Sequence, residues 1–246
     1  MHPPSHDSPA AMPIPDDAFF EEWEATVTPE DRPLFYRDGV LDEGEWERVP
    51  PRVLFILPEG NLLGNTEGAR RAKQLGDARK LARESEAGAD FGDALARWKA
   101  MLIDGLSQEE AAALTSAELE RQRLRAAEMN LKKIGGKGQV ERKKFVPWVR
   151  TSSNRKRSLE EVQVIAPEVI VLCGDYIREE WPRTVTGKIR RPKEWRQRTG
   201  VWQGRLWAMV PHPSAGKYPT YRGVKNLDAP VAAFAASPEV AALRRG

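Results

Sequence analysis

The sequence predicts an α/β domain built on a mainly parallel sheet that helices cover on both faces. Three apolar runs, VLFIL, VIVLC and LWAMV, have the length and composition of strands that are buried on both faces. Charged stretches of helical length separate these runs, and a Pro or Gly closes each of them. Strands that alternate with helices in this way are typical of a layered α/β architecture.

The predicted elements follow in chain order. Strands are predicted at residues 53–57, 169–173 and 206–210. Two patterns resemble capping boxes that begin helices, Thr115 with Glu118 and Ser158 with Glu161. Helices are therefore predicted at residues 67–84, 91–102, 115 to about 129, 158–166 and 228–234.

The composition changes along the chain. Residues 1–17 contain five prolines and are predicted to be a disordered tail, residues 18–50 an acidic N-terminal collar, and residues 51–246 the main domain. No apolar stretch is long enough to span a bilayer and no secretion signal is recognisable, so we expect a cytoplasmic protein without a membrane partner. The single cysteine, Cys173, excludes an internal disulfide and a metal cluster held by several thiolates.

Charge is distributed unevenly. Residues 1–50 carry a net charge of −10, and residues 51–246 carry +13. The positive excess lies in two windows: residues 132–157 have ten Lys or Arg against one Glu, and residues 178–198 have eight against three acids. Such density favours contact with the phosphates of a nucleic acid, although a solvated basic face would have the same composition.

Candidate catalytic side chains follow two of the predicted strands. Ligands of open parallel sheets bind beyond the carboxyl ends of the strands. Glu59 follows the first predicted strand and His212 follows the third, so a carboxylate and an imidazole are expected at one edge of the sheet. Each also has a structural interpretation, Glu59 as a helix cap and His212 as a residue bonded within its own loop.

Four sequence blocks occur in a recognisable order: the first strand with Glu59 just past it, MNLKK with Asn130, APEVIVLCG at residues 166–174, and HPS followed by YRG at residues 212–223. In this order they resemble the uracil-DNA glycosylase superfamily, over about residues 52–234. The resemblance implies a three-layer α/β/α sandwich around a four-stranded parallel sheet. It also implies a monofunctional DNA glycosylase that acts on a base flipped from duplex or single-stranded DNA, needs no metal or other cofactor, and is expected to be a monomer.

The resemblance implies a role for each motif residue. Glu59 would position the attacking water and stabilise the cationic sugar, and His212 would stabilise the departing base anion. Asn130, with Gly60 and Asn61, would bind the base edge, because an amide offers both a donor and an acceptor. The DNA backbone would be held by a larger set: Lys132, Lys133, Lys137, Lys143, Lys144, Arg155, Arg157, Ser214, Lys217, Tyr218 and Arg222.

The chain also departs from the family pattern. Leu57 and Pro58 stand where the family has a glycine, and a carboxylate followed by Gly and Asn replaces the usual acid or amide followed by proline. No aromatic residue occurs at 62–90 to stack on the base, which leaves Phe91, Trp98 or Tyr36 for that role. These departures favour a modified or bulky pyrimidine over uracil, and the single cysteine excludes the iron–sulfur branches.

Two other functions fit the same residues. One is a catalytically inert nucleic-acid-binding protein that keeps the fold and the basic windows. The other is a hydrolase of free nucleotides or nucleosides that uses the same crevice.

Overall fold

A mixed β-sheet organises the chain. The computed structural model describes residues 15–48, 50–61, 77, 79–80, 90–136, 140–188, 197–215 and 226–245. In this part of the chain the sheet has six strands in the order β1-β3-β2-β4-β6-β5. The strands are β1 (Gly39–Val40), β2 (Val53–Asn61), β3 (Ala127–Gly136), β4 (Val169–Cys173), β5 (Thr199–Trp202) and β6 (Arg205–Val210).

The α/β class is confirmed, and the sheet is wider than the expected four strands. The neighbouring strands β3, β2, β4 and β6 run parallel, whereas the edge strands β1 and β5 are antiparallel to their neighbours. The acidic collar supplies β1, which is too short to leave a sequence pattern. A two-residue turn at Gln203 and Gly204, both with positive φ, folds β5 back on β6 as a hairpin.

Helices pack on both faces of the sheet. In β2, Phe55 and Leu57 belong to one apolar cluster, and Leu54 and Ile56 belong to another, because successive side chains of a strand point to opposite faces. The first cluster contains side chains of α3 (Asp90–Lys99), a π-helical turn (Ala100–Asp104), α9 (Ala229–Ala235) and α10 (Pro238–Leu243). The second contains side chains of α6 (Arg142–Arg150), α7 (Ser152–Ile165) and α8 (Asp175–Thr186). The remaining helices are α1 (Asp17–Ala25), α2 (Glu43–Arg48), α4 (Gln108–Ala112) and α5 (Ser116–Arg123).

Several predicted boundaries differ from the structure. β2 continues past Pro58 to Asn61, because β3 runs beside it there while β4 pairs only with residues 53–56. The capping box at Thr115 is present, but its helix ends at Arg123 because β3 begins at Ala127. Ser158 does not cap a helix, since α7 already begins at Ser152. The predicted tail and the predicted helix at 67–84 lie almost wholly outside the described residues.

The acidic collar packs on the sheet through helix α1. Asp16 caps this helix by accepting a hydrogen bond from the Phe19 backbone N–H at 2.8 Å. The buried Trp23 stacks on Trp148, with 5.9 Å between ring centroids. Its indole N–H donates to Asn154 Oδ1 at 3.1 Å. The collar is therefore attached to α6 and α7 by a large aromatic contact as well as by charge.

A buried ionic cluster lies beneath the collar. The Lys133 ammonium donates to Asp38 and, at 2.9 Å, to Glu161, and all three side chains are inaccessible to solvent. Lys133 also lies over the Phe20 and Trp23 rings, 5.6 and 5.3 Å from their centroids. Burial raises the pKa of the Glu161 carboxyl well above its usual value, despite the neighbouring Lys133. The cluster thus joins the collar, β3 and α7 through one cation.

We predict that Lys133→Met destabilises the protein by about 3–5 kcal/mol, because it leaves Asp38 and Glu161 buried without their cation. Urea unfolding followed by circular dichroism measures the change. Lys143→Met is the matched control, since Lys143 is exposed and should change stability by less than about 0.5 kcal/mol. Equal stability of the two variants would contradict this assignment of Lys133.

Candidate functional site

Glu59 lies in the last part of β2, where only β3 pairs with it, and His212 lies two residues past the end of β6. Ile56 is level with Leu172 across β2 and β4, and Cys173 is level with Val210 across β4 and β6. Leu57, Cys173 and Val210 therefore form one row, and all three belong to the same apolar cluster. Glu59 and His212 each follow this row by two residues, which places them on the same face of the sheet.

The two side chains are separated by one strand. β4 lies between β2 and β6, so Glu59 and His212 start about 10 Å apart, twice the spacing of neighbouring strands. The apolar row of Leu57, Cys173 and Val210 lies between them, at the end of the first apolar cluster. These three side chains are at most 6% exposed, so Glu59 and His212 flank the outer end of that cluster.

Glu59 forms an ion pair with Lys132. The two residues are level in β2 and β3, and the Lys132 ammonium donates to Glu59 Oε2 at 2.6 Å and to the Ile134 carbonyl at 2.7 Å. Their side chains are only 6% and 7% exposed. Burial raises the pKa of the Glu59 carboxyl and the Lys132 contact opposes this shift. Lys132 therefore fixes one oxygen of the carboxylate and favours its ionised form.

Close packing at Gly136 also fixes Glu59. A Cβ atom at position 136 would overlap the Glu59 carboxylate. The β2–β3 register shifts between Glu59 and Asn61, so that Asn61 is level with Gly136. This irregularity brings the β3 backbone against the carboxylate, and only glycine leaves enough room for that approach.

His212 is held in an apolar environment. Its ring stacks on Phe91, with 5.6 Å between centroids and 27° between planes. Gly174, at φ 93°, begins the turn into α8, and a Cβ atom there would lie 3.3 Å from His212 Cβ. The Ser214 backbone N–H donates to His212 Nδ1 at 3.2 Å. A neutral His212 must therefore carry its proton on Nε2.

Burial lowers the pKa of His212 to about 4. The imidazole is consequently neutral at physiological pH, with Nε2–H as a hydrogen-bond donor. A neutral donor of this kind can stabilise an oxyanion without first requiring a proton from solvent.

Asn130 does not join Glu59 and His212. Its side-chain Nδ2 and its backbone N–H both donate to Asp38 Oδ2, at 3.1 and 2.6 Å, and the residue is 6% exposed. Its strand position is level with Leu57, below the level of Glu59. The structure therefore gives Asn130 a partner in the collar.

The candidate stacking residues separate into three environments. Phe91 stacks on His212. The Tyr36 ring packs on Gly60, since a Cβ there would lie 3.2 Å from Tyr36 Cδ1. Trp98 is fully buried and donates to Asp228 Oδ1 at 2.7 Å. Phe91 is therefore the one of these three rings that lies beside His212.

Many of the expected DNA-contacting residues have protein partners instead. Lys133 is fully buried in the ionic cluster, so the prediction that it contacts DNA is wrong, and its role is structural. Lys132 likewise holds Glu59. Arg157 pairs with Glu22 of α1 at 3.0 Å, and the half-buried Arg155 donates to the Thr184 carbonyl at 3.4 Å.

The other expected contacts divide by exposure. Lys143 and Lys144 are exposed on α6, where Lys144 pairs with Glu141 at 3.0 Å. Ser214 is half-buried beside His212. The remaining residues, Lys137, Lys217, Tyr218, Arg222 and the side chain of Asn61, lie outside the described part of the chain.

Sequence reasoning missed the partners of the two catalytic candidates. From the sequence, Lys132 is predicted to contact DNA. Lys132 and Lys133 are neighbours in a strand, however, and this alone indicates that their side chains point to opposite faces. The hydrogen bond from the Ser214 backbone N–H to His212 could not be predicted, because the HPS sequence indicates only a turn. Asp38 pairs with residues more than 90 positions away, and no local pattern reveals it.

The site contains no metal cluster within the described residues, where no group of three His, Cys, Asp or Glu side chains could hold an ion. The helices of the described ranges are also too short or too polar to cross a membrane. Comparison of the chain with protein-family models and with curated protein sequences found no match.

We predict that His212 stays neutral down to about pH 4, with its proton on Nε2. Folding favours the neutral form, so this residue destabilises the folded state as the pH falls from 6.5 towards 4. A ¹⁵N chemical-shift titration of the His212 imidazole measures both the pKa and the tautomer. The urea-unfolded protein is the control, in which the same imidazole should titrate near 6.5. A folded-state pKa above 6 would contradict the assigned environment.

Proposed function

We propose that the protein is a DNA glycosylase that hydrolyses the N-glycosidic bond of a modified pyrimidine flipped out of DNA. The observation that carries this proposal is the pairing of a fixed carboxylate, Glu59, with a neutral imidazole donor, His212, on one face of the sheet. Hydrolysis of this bond needs both groups, because positive charge develops on the sugar while negative charge develops on the base.

Each group has a defined part in the reaction. Glu59 orients a water molecule towards the sugar C1′ and accepts its proton as the C1′–O bond forms. The bond from C1′ to the base nitrogen breaks, and its electron pair leaves with the base. His212 Nε2–H donates a hydrogen bond to the base carbonyl oxygen, where much of that negative charge resides.

Lys132 acts through Glu59. It holds Oε2 at 2.6 Å, while Oε1 lies against Gly136. In the proposed reaction, the water binds at Oε1. Lys132 also offsets the burial that raises the pKa of Glu59. Lys132 is therefore a positioning residue and not a catalytic residue.

The substrate base is proposed from the departures of the sequence from the family pattern, which favour a base with an enlarged substituent over unmodified uracil. Among the described residues, the Tyr36 ring lies on Gly60, next to Glu59, and Phe91 stacks on His212. The same residues would serve a hydrolase of free nucleotides, which would prefer monomers to a polymer.

We predict that the purified protein releases a free base from at least one oligonucleotide in a panel of modified pyrimidines. Glu59→Gln should reduce the single-turnover rate at least about 10³-fold, and His212→Gln about 10²-fold or more, because each removes charge stabilisation from the transition state. Chromatography of the released base, with alkaline cleavage of the abasic strand, measures the rate. The rate should fall at acidic pH with an apparent pKa above 4.5, because burial raises the pKa of Glu59.

Glu120→Gln is the matched control, since Glu120 is exposed and lies away from the sheet edge on α5. It should retain full activity. Base release that survives Glu59→Gln and His212→Gln would show that these residues are not catalytic. Absence of release from every substrate, with DNA binding intact, would favour the inert nucleic-acid-binding protein.

A further inference from the structure

A concave surface lined mainly by arginines lies at the same end of the sheet as the candidate site, on the opposite face. It encloses about 610 Å³ between α6, α8 and the residues that precede β5. We call it the arginine cleft. Its lining includes Arg142, Arg178, Arg183 and Arg198, with Glu179 as its only acidic member within the described residues, together with Met209.

The ion pairs of the cleft are weak and exchangeable. Arg142 pairs with Glu179 at 3.3 Å and Arg178 with Asp175 at 2.9 Å, and these arginine side chains are 60% and 46% exposed. Exposed pairs of this kind contribute little stability. No acidic side chain in the described ranges forms an ion pair with Arg198. An incoming anion can therefore replace the present partners of these arginines at low cost.

Arg183 has a different role. Its guanidinium donates to the buried Glu180 at 2.7 Å, and Arg150 binds the same carboxylate through two hydrogen bonds of 2.8 and 2.9 Å. Two cations thus share one carboxylate, which leaves the wall of the cleft positive even where its arginines are paired.

Several members of the first basic window are held by protein partners. Lys132 and Lys133 are buried in ion pairs, and Arg157 pairs with Glu22 of the collar. The same window supplies Arg142 to the cleft, and its Lys143, Lys144 and Lys156 are exposed. The collar therefore lowers the positive charge of this window without removing it.

The cleft and the candidate site adjoin the same end of the sheet. Met209 lines the cleft and precedes His212 by three residues. Gly174, which packs on His212, directly precedes helix α8, and α8 carries Arg178 and Arg183. The cleft is on the face of the second apolar cluster and the candidate site is on the face of the first, so a strand bound at both places passes around the carboxyl end of β4.

We propose that the arginine cleft binds consecutive phosphates of a polynucleotide strand whose base occupies the site at Glu59 and His212. Guanidinium groups bind phosphate oxygens in pairs, which suits this ligand. Arg142, Arg178 and Arg198 come from α6, α8 and the segment before β5, so they address different phosphates. That the bound strand carries the substrate base rests on the proposed function. That the cleft binds phosphates does not depend on it.

The test measures binding of a short unmodified oligonucleotide by fluorescence anisotropy over a range of salt concentrations. The variant is Arg142→Gln/Arg178→Gln/Arg198→Gln, which spares Arg183 because that residue holds Glu180. We expect roughly tenfold or greater weakening, and a salt dependence whose slope falls by about 2 for a single strand, since three phosphate contacts are lost.

The matched control removes the same charge elsewhere, as Arg48→Gln/Arg121→Gln/Arg245→Gln, from residues that are exposed outside the cleft. It should bind nearly as tightly as the unaltered protein. Circular dichroism and thermal unfolding verify that both triple variants fold. Equal loss of affinity in the two variants, or no binding by the unaltered protein, would overturn the proposal.

Competition with inorganic phosphate and with a nucleoside monophosphate distinguishes a strand from a free phosphate. Competition by either at micromolar concentration would show a site for small anions and would overturn the proposal of a strand. If the protein excises no base but its binding of the oligonucleotide still depends on the cleft arginines, the proposed function is wrong and the phosphate site in the cleft stands.

Discussion

The ion pairs of Lys133 with Asp38 and Glu161 are the interaction on which the rest of the structure depends. They connect the acidic collar, β3 and α7 in a region without solvent. Because successive side chains of a strand face opposite ways, a buried Lys133 on one face directs Lys132 to the other. There Lys132 holds Glu59 at 2.6 Å. The geometry of the candidate site is therefore connected to the packing of a segment that contributes no catalytic group.

The two halves of the site are prepared by different physical means. On the β2 side, charge and close packing fix Glu59, through Lys132 and through the missing side chain at Gly136. On the β6 side, burial against Phe91 makes His212 neutral, and the Ser214 backbone N–H selects its tautomer. Negative charge next to the sugar and a neutral donor next to the base are the two requirements of glycosidic hydrolysis.

The sequence predicts the local features well and the long-range ones poorly. The apolar run of β4 matches the observed strand at both ends, and the Thr115 capping box is present. His212 lies beyond β6, as the pattern predicts, whereas Glu59 lies within β2, because β3 pairs with β2 as far as Asn61. The partners Lys132 and Asp38 could not be predicted, because they lie 73 and 92 residues from the groups they bind. A count of basic residues also overestimates the accessible charge, since burial and the collar neutralise several of them.

The most direct test of the account is a crystal structure of the Glu59→Gln variant with a single-stranded oligonucleotide that contains a modified pyrimidine. The account predicts the base between Glu59 and His212, with His212 Nε2 within hydrogen-bond distance of a base carbonyl oxygen. It also predicts backbone phosphates in the arginine cleft. A base bound elsewhere, or a His212 Nε2 that faces protein atoms in the complex, would contradict the central claim that Glu59 and His212 form one site.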